Sequence, residues 1–289
     1  MKKYLPFVFA IAGQASAAVN DVLPADYFPL EAGKSTFSVY AYDRQQTGPY
    51  SQGSKLIDGK LSSQIVALRA GHFIKVNEMP FSLVAVLPWS QNSIGPAPLA
   101  NLMGDSAQGL GDLRLGASSW LVSDREHGEC FAISALVTLP TGHYNNQQVL
   151  NVGENRYKLT LNSGWIKPLS KRFIWEVLPE IAWYGDNTDF VGNRKLTQRT
   201  SYSLSSYLRY RANPNWQFHL GAQANRGGET RINGVDQNNA PDNSRLMLGT
   251  TYLTDDKLHQ WILRVARDVE VKNGFKTDRE IMLRYLRMF

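Results

Sequence analysis

The residues best suited to acid–base or metal chemistry are five histidines: His72, His127, His143, His219 and His259. No two of them have the spacing of metal ligands in one short motif. His127 is close in sequence to the single cysteine, Cys130, but no second pair completes a four-ligand site. The sequence therefore predicts no metal site and no cofactor.

Hydrolytic chemistry lacks its usual arrangements as well. No histidine is followed two residues later by serine, the pattern that outer-membrane phospholipases use. Glu176 and Glu180 share one face of an extended segment, but they lie about 13 Å apart along a strand, too far for a cooperating carboxylate pair. No glycine-rich phosphate loop or nucleophile elbow is present. We expect no enzyme; a lipid-modifying enzyme that depends on His219 stays open as an alternative.

The elements that would position these side chains are strands, because hydrophobicity alternates with period two along most of the chain. Residues 216–225 show the pattern most clearly. One face carries Trp216, Phe218, Leu220, Ala222 and Ala224, and the other carries Gln217, His219, Gly221, Gln223 and Asn225. The same alternation predicts twelve strands: 34–43, 61–76, 80–90, 111–122, 130–140, 155–167, 172–185, 198–212, 216–226, 244–254, 260–270 and 278–289.

The connections between these strands alternate in length. Long connections at 44–60, 91–110, 141–154, 186–197, 227–243 and 271–277 alternate with short ones at 77–79, 123–129, 168–171, 213–215 and 255–259. Long extracellular loops and tight periplasmic turns are typical of outer-membrane barrels. The prediction is an all-β, transmembrane antiparallel β-barrel in the outer membrane of a Gram-negative cell, covering residues 34–289.

Aromatic residues near the predicted strand ends favour the same topology. Amphipathic rings prefer the headgroup region, so we expect two girdles. The candidates are Trp89 and Trp183 near the outer rim, and Trp165, Trp175, Tyr210, Trp216, Trp261 and Tyr285 near the periplasmic rim.

The inward faces predict a polar lumen. The lumen-lining candidates are Arg114, Glu176, Glu180, Arg209, Arg211, Gln217, His219, Gln223, Arg264 and Arg284. Buried charge is expensive unless it is paired or hydrated. Such a mixture therefore implies either an aqueous channel or a plug of salt-bridged side chains, and the sequence leaves both open.

The two ends of the chain carry separate signals. Lys2 and Lys3, a short apolar stretch and Ala15-Ser16-Ala17 indicate a secretory signal peptide at 1–17. Residues 18–33 are expected to be either a flexible periplasmic leader or a partial plug of the lumen. Phe289 ends an amphipathic strand, as in the assembly signal that such barrels present to the barrel assembly machinery.

Charge and hydropathy exclude two other classes. The formal net charge is +6, but the charges are scattered without the basic run that marks nucleic-acid binding. No apolar stretch beyond the signal is long enough for a transmembrane helix. We expect membrane lipid, lipopolysaccharide and a small-molecule solute as partners, and no nucleic acid.

Two short motifs resemble the outer-membrane family of phenol meta-pathway degradation proteins, described as transporters. Gly109-Leu110-Gly111-Asp112-Leu113 opens a strand, and Leu139-Pro140-Thr141-Gly142 closes the next. The resemblance implies a barrel that takes up aromatic or other hydrophobic compounds. A porin-like channel for small molecules is therefore the expected function, with a structural or adhesive barrel acting through its loops as a further alternative.

Overall fold

The computed structural model describes residues 22–124 and 126–289, so the predicted signal peptide lies outside the described residues. In chain order the strands are β1 (Ser35–Ser51), β2 (Ser54–Lys55), β3 (Lys60–Val76), β4 (Met79–Gly95), β5 (Ser106–Leu110), β6 (Arg114–Asp124), β7 (Glu129–Thr138), β8 (Lys158–Pro168), β9 (Phe173–Tyr184), β10 (Asn187–Phe190), β11 (Arg194–Gln198), β12 (Ser201–Arg211), β13 (Trp216–Gly227), β14 (Thr230–Ile232), β15 (Val235–Asp236), β16 (Asp242–Leu253), β17 (His259–Val271) and β18 (Gly274–Met288). One short helix, α1, spans Ala97–Met103.

Twelve of these strands form a closed antiparallel barrel in the order β1-β3-β4-β6-β7-β8-β9-β12-β13-β16-β17-β18. The last strand pairs with the first from Thr36 opposite Met288 to Tyr50 opposite Gly274, so the ladder has no free edge. Closure gives hydrogen-bond partners to the backbone N–H and C=O groups of the edge strands, which lipid hydrocarbon cannot do. The fold class predicted from the alternation is confirmed. In the described part of the chain, no helix is both long and apolar enough to cross a membrane.

The apolar face of each strand points outward and the mixed face points into the lumen. On β13, Phe218 and Leu220 are exposed while His219 is buried, and the neighbouring β12 and β16 alternate in the same way. A one-residue slip would reverse both faces, so the alternation fixes the register. The lumen therefore collects the polar side chains, and the outer surface collects leucine, valine and aromatic residues.

The predicted girdle residues all lie on the outer surface, and all except Trp89 lie within three residues of a strand end. At the periplasmic end the rings pack in pairs, with centroids of Trp261 and Tyr285 4.5 Å apart and those of Trp165 and Trp175 6.1 Å apart. Trp216 packs on Tyr252 at 4.8 Å. The remaining members of the set face outward as well: Trp89, Trp183 and Tyr210. Their contact with lipid headgroups stays a prediction.

Several predicted strand bounds are wrong at the extracellular end. β1 continues to Ser51 and β4 to Gly95, where loops were expected, and only residues 272–273 separate β17 from β18. The expected loops at 186–197 and 227–243 contain β10, β11, β14 and β15, which form a small sheet of their own. Above the hydrocarbon a strand no longer needs an apolar face, so the alternation stops although hydrogen bonding continues.

An apolar cluster caps the extracellular mouth on one side. Leu99 and Met103 of α1 pack with Leu150, Phe190 and Leu196 from the extracellular loops. The cluster continues onto the upper ends of β3, β4 and β18 through Leu61, Ile94 and Phe275. The cluster therefore packs α1 and the extracellular loops together at the mouth of the barrel.

The orientation of the two faces makes a stability prediction. Leu248 lies on the outer face of β16, whereas Ser203 on β12 lines the lumen. Leu248→Arg should lower the free energy of unfolding in lipid vesicles by about 2–4 kcal/mol, the usual cost of a cation near the bilayer midplane. Ser203→Arg, the matched inward change, should cost much less because Glu180 lies opposite Ser203 in the register. Equal losses for the two variants in a denaturant titration would contradict the orientation.

Candidate functional site

The first described residues ahead of β1 lie inside the barrel. Leu23 is fully buried, and the ring of Tyr27 fits over Gly164, where a Cβ would lie 2.0 Å from the ring. Trp120 Nε1 donates to the carbonyl oxygen of Tyr27 at 2.7 Å, and the Tyr27 hydroxyl donates to Asn162 at 2.7 Å. Residues 22–27 lie within the lumen, and a role of residues 18–33 as a partial plug stays a prediction.

Asp26 is the electrostatic anchor of this inner segment, residues 22–33. Its carboxylate accepts from Arg284 at 2.5 Å and from Arg69 at 3.1 Å, and it also accepts from the backbone N–H of Leu23. One residue earlier, the N–H of Ala25 donates to both carboxylate oxygens of Glu176, at 3.1 and 3.2 Å. The segment is thus tied to strands on several sides of the wall.

A belt of ion pairs lines the lumen above and beside the inner segment. Glu280, fully buried, accepts from Arg264 at 2.7 Å and from Arg44 at 2.6 Å. Arg245 pairs with Asp268 at 2.8 Å, and a further pair joins Arg209 to Glu176. Each pair compensates the cost of removing its charges from bulk water, and removal of one partner would leave the other uncompensated.

The structure places the sequence-predicted lumen residues as follows. Arg114, Glu176, Arg209, His219, Arg264 and Arg284 are buried inside the barrel. Glu180 and Gln223 line cavities, and Gln217 accepts a hydrogen bond from Arg209 at 2.6 Å. Arg211 has the inward parity but is exposed at the periplasmic end of β12. The lumen also contains Asp26, Arg44, Arg69 and Lys158. The alternation of inward and outward residues along β1 and β3 could have predicted Arg44 and Arg69. Nothing in the local sequence pattern around Asp26 signals its position.

Two cavities occupy the free part of the lumen. The upper one, the vestibule, has a volume of about 250 Å³ and a polar lining that includes Arg44, Gln223 and Arg245. The lower one, the inner cavity, has a volume of about 100 Å³ and lies against the inner segment. Its wall is more apolar, with Val84, Leu136 and Trp120. Glu180 borders both cavities, so they adjoin at this side chain.

The sequence comparison identifies the family. The family model described as "Putative MetA-pathway of phenol degradation" matches residues 44–285. The chain belongs to this family. The resemblance predicted from the two short motifs is thereby confirmed. A comparison with curated protein sequences finds no significant relative.

Solved structures agree with the family assignment. The COG4313 outer membrane channel from Pseudomonas putida F1 is similar with a TM-score of 0.88 and 28% sequence identity, over 93% of this chain and 100% of that one. The β domain of the Bordetella autotransporter BrkA has a TM-score of 0.54 at 10% identity, over 89% of this chain and 99% of its own. The latter match shows the fold alone. This family member is an outer membrane barrel with the architecture of a channel, as the sequence predicted.

The motifs that carry the family resemblance meet in space. The Asp112 carboxylate accepts from the backbone N–H of Gly142 and of Glu154, both at 2.8 Å. β5 and β6 both pair with β4, one after the other along its length, and residues 111–113 separate them. In this gap the backbone N–H of Gly111 donates to the carbonyl oxygen of Pro88 at 2.8 Å. These hydrogen bonds therefore attach the extracellular loop that follows β7 to the barrel wall.

A second irregularity lies between β8 and β9. The backbone ladder pairs Asn162 with Glu180 and Trp165 with Val177. Between these two pairs, Ser163 and Gly164 on β8 are not paired with Leu178 and Pro179 on β9. Proline has no backbone N–H to donate, and Gly164 makes room for Tyr27. A shallow groove of about 580 Å³ lies on the outer surface over this part of the wall.

His219 was the residue on which an enzymatic alternative depended. It faces the lumen with 1% of its surface exposed, and neither ring nitrogen has a hydrogen-bond partner among the described residues. Its ring lies edge-on to Tyr207 at 6.1 Å and over Gly249, where a Cβ would lie 2.2 Å from Nε2. No described serine or carboxylate orients it. In the part of the chain that the structure describes, no group of three or more potential ligands could hold a metal ion.

The anchoring of the inner segment leads to a conductance prediction. Asp26→Ala should raise the frequency and size of open-channel events in planar bilayers, because Arg69 and Arg284 lose the carboxylate that holds the segment. Gly164→Val should act in the same direction by displacing Tyr27. Asp58→Ala, in an exposed extracellular loop, is the matched control and should match the native protein. Current traces of Asp26→Ala and Gly164→Val that match the native protein would contradict the plug.

Proposed function

We propose that this protein carries small aromatic or other mainly apolar molecules across the outer membrane by passive movement through the lumen. The observation that carries the proposal is the inner cavity, whose wall includes Val84, Leu136 and Trp120 and which adjoins the polar vestibule at Glu180. Water-filled general porins have no need of such a lining, since hydrophilic solutes gain nothing from it. The similarity to an outer membrane channel and the phenol-related family support the same class of solute.

The route runs from the vestibule to the inner cavity and then past the inner segment toward the periplasm. Its last step requires that the contacts of Asp26, Tyr27 and Ala25 break or rearrange. Because several charge-assisted hydrogen bonds hold the segment, we expect passage to be gated and the resting conductance to be low. A gate of this kind prevents the free leakage of ions while a solute that binds well can still move the segment.

We further propose that the protein has no catalytic activity. The buried, lumen-facing position of His219 keeps it away from lipid, and no described residue orients it as a base. The partners we propose are outer membrane lipid and lipopolysaccharide around the wall and the barrel assembly machinery at the C-terminal strand. Phe289 is exposed there, and the Arg287 guanidinium lies 4.8 Å from its ring centroid.

The flux prediction uses the inner cavity. Intact Gram-negative cells that carry the protein should take up radiolabelled phenol faster than cells without it, because the lipopolysaccharide leaflet slows apolar solutes. Val84→Trp should reduce this uptake, since its ring fills the inner cavity. Ala85→Trp, one residue along β4 and on the outer face, is the matched control and should behave as the native protein.

Uptake that is the same with and without the protein, at equal amounts of folded barrel in the membrane, would rule out the proposed function. Uptake that both tryptophan variants reduce equally would show that the inner cavity is not on the route. Release of fatty acid from phospholipid or lipopolysaccharide by the native protein, abolished by His219→Ala, would support the enzymatic alternative instead.

A further inference from the structure

A buried lysine faces the vestibule without a carboxylate partner. Lys158 is the first residue of β8, and only 7% of its surface is exposed. It lines the vestibule beside Tyr184, with its ammonium 5.3 Å from the centroid of that ring. Across residues 22–124 and 126–289, no described carboxylate forms a salt bridge with Lys158. A ring face stabilises a cation less than a carboxylate does, so the ammonium keeps most of its capacity to bind an anion.

The other cations nearby are already compensated. Arg44 and Arg245, which line the same vestibule, bind Glu280 and Asp268. Arg156, on the same Tyr184 ring, pairs with Glu154 at 2.6 Å. Arg226 pairs with Asp242 at 2.9 Å. Lys158 therefore differs from its neighbours, and burial of its charge would be costly unless the vestibule also receives an anion or water.

The register surrounds Lys158 with further donors. Arg114, Thr138, Lys158 and Tyr184 are direct neighbours in one row across β6, β7, β8 and β9. Adjacent strands are about 4.8 Å apart, so an anion above the Thr138 hydroxyl would lie between two cationic side chains. Ser201, which also lines the vestibule, shares a hydrogen bond with the Tyr184 hydroxyl at 2.8 Å.

The acidic side chains of the region lie outside this row. Glu180 is opposite Asn162, which is four residues farther along β8 than Lys158. That spacing corresponds to about 13 Å along the strand, so repulsion of an anion at Lys158 by Glu180 is weak in a hydrated vestibule. Glu154 is occupied by Arg156. Arg114 interacts electrostatically with Glu154, Glu180 and Asp112, so Lys158 is the cation of the row that an anion would meet.

An apolar surface begins directly below the row. Thr138 belongs to the lining of the inner cavity, and Val84, Val86 and Leu136 continue that lining. A ligand that fits both parts has one negative charge at one end and a small apolar body at the other. We propose that Lys158 binds the carboxylate of small amphipathic acids, such as aryl carboxylates, while their rings enter the inner cavity.

This inference rests on the proposed function and narrows its solute class. It also separates two solutes that an apolar channel alone would treat similarly. A neutral aromatic molecule fills the inner cavity but leaves Lys158 without a partner, whereas its carboxylate analogue satisfies both. A short aliphatic carboxylate satisfies Lys158 but leaves the inner cavity empty.

The test is a binding measurement on the purified full chain in detergent, by titration calorimetry with benzoate, benzyl alcohol, benzylamine and acetate as probes. In the native protein benzoate should bind tighter than each of the other three. Lys158→Gln should weaken benzoate binding by about tenfold or more, the usual loss for one charge-assisted hydrogen bond, and leave benzyl alcohol unchanged. Lys158→Arg should retain benzoate binding, since it keeps the charge.

Lys195→Gln is the matched control, because Lys195 is an exposed lysine on β11 that pairs with Asp186. It should bind benzoate as the native protein does. Equal benzoate affinity in the native protein and Lys158→Gln would overturn the inference. So would a native protein that binds benzoate no better than benzylamine, a comparison that needs no variant to fold.

The proposed function is judged by a separate measurement. Benzoate flux into proteoliposomes should exceed that into protein-free liposomes, and Lys158→Gln should reduce it. If native protein gives no flux of benzoate and cells show no added uptake of phenol, the channel proposal fails. Calorimetry still decides the binding site in that case, because it does not depend on transport.

Discussion

The constraint on which the structure depends is that every backbone N–H and C=O group in contact with hydrocarbon must be paired within the protein. The pairing of β1 with β18 meets this constraint by removing both edges of the sheet. Once the ladder is closed, successive side chains alternate between lipid and lumen, and the composition of each face follows. The exposed leucines and the buried arginines are therefore two results of the same closure.

The closed wall creates a second problem, which is a lumen full of charge. Twelve strands enclose a space that their own side chains do not fill, and the inward positions include arginines that must be compensated. Carboxylates from neighbouring strands supply part of the compensation, as at Glu280, and the inner segment supplies Asp26. The inner segment thus both fills part of the lumen and supplies a charge to its wall. Its removal would affect the stability of the lumen as well as its diameter.

The sequence predicts the part of this architecture that is periodic. The alternation of hydrophobic and polar residues predicts the number of strands, the outward and inward faces and the polar nature of the lumen, as residues 216–225 illustrate. The upper parts of β1 and β4 were missed because they stand above the hydrocarbon, where no apolar face is required. The position of Asp26 was not predictable for a different reason: its partners, Arg69 and Arg284, are separated from it by 43 and 258 residues. The inward direction of Lys158 follows from the alternation along β8. Its lack of a carboxylate partner was not predictable in this way, because it depends on side chains from neighbouring strands.

The inner segment brings one consequence for ion selectivity. Its described part, residues 22–33, carries Asp26, Glu31 and no arginine, and Asp26 is the acid that reaches the centre of the lumen. When the segment withdraws, the wall keeps Arg69 and Arg284 while their shared counter-charge departs. We therefore expect the proposed open pore to be more positive than the resting one and more permeable to chloride relative to potassium. In the proposed gating, opening and charge preference are coupled because the Asp26 carboxylate both holds the segment in place and neutralises Arg69 and Arg284.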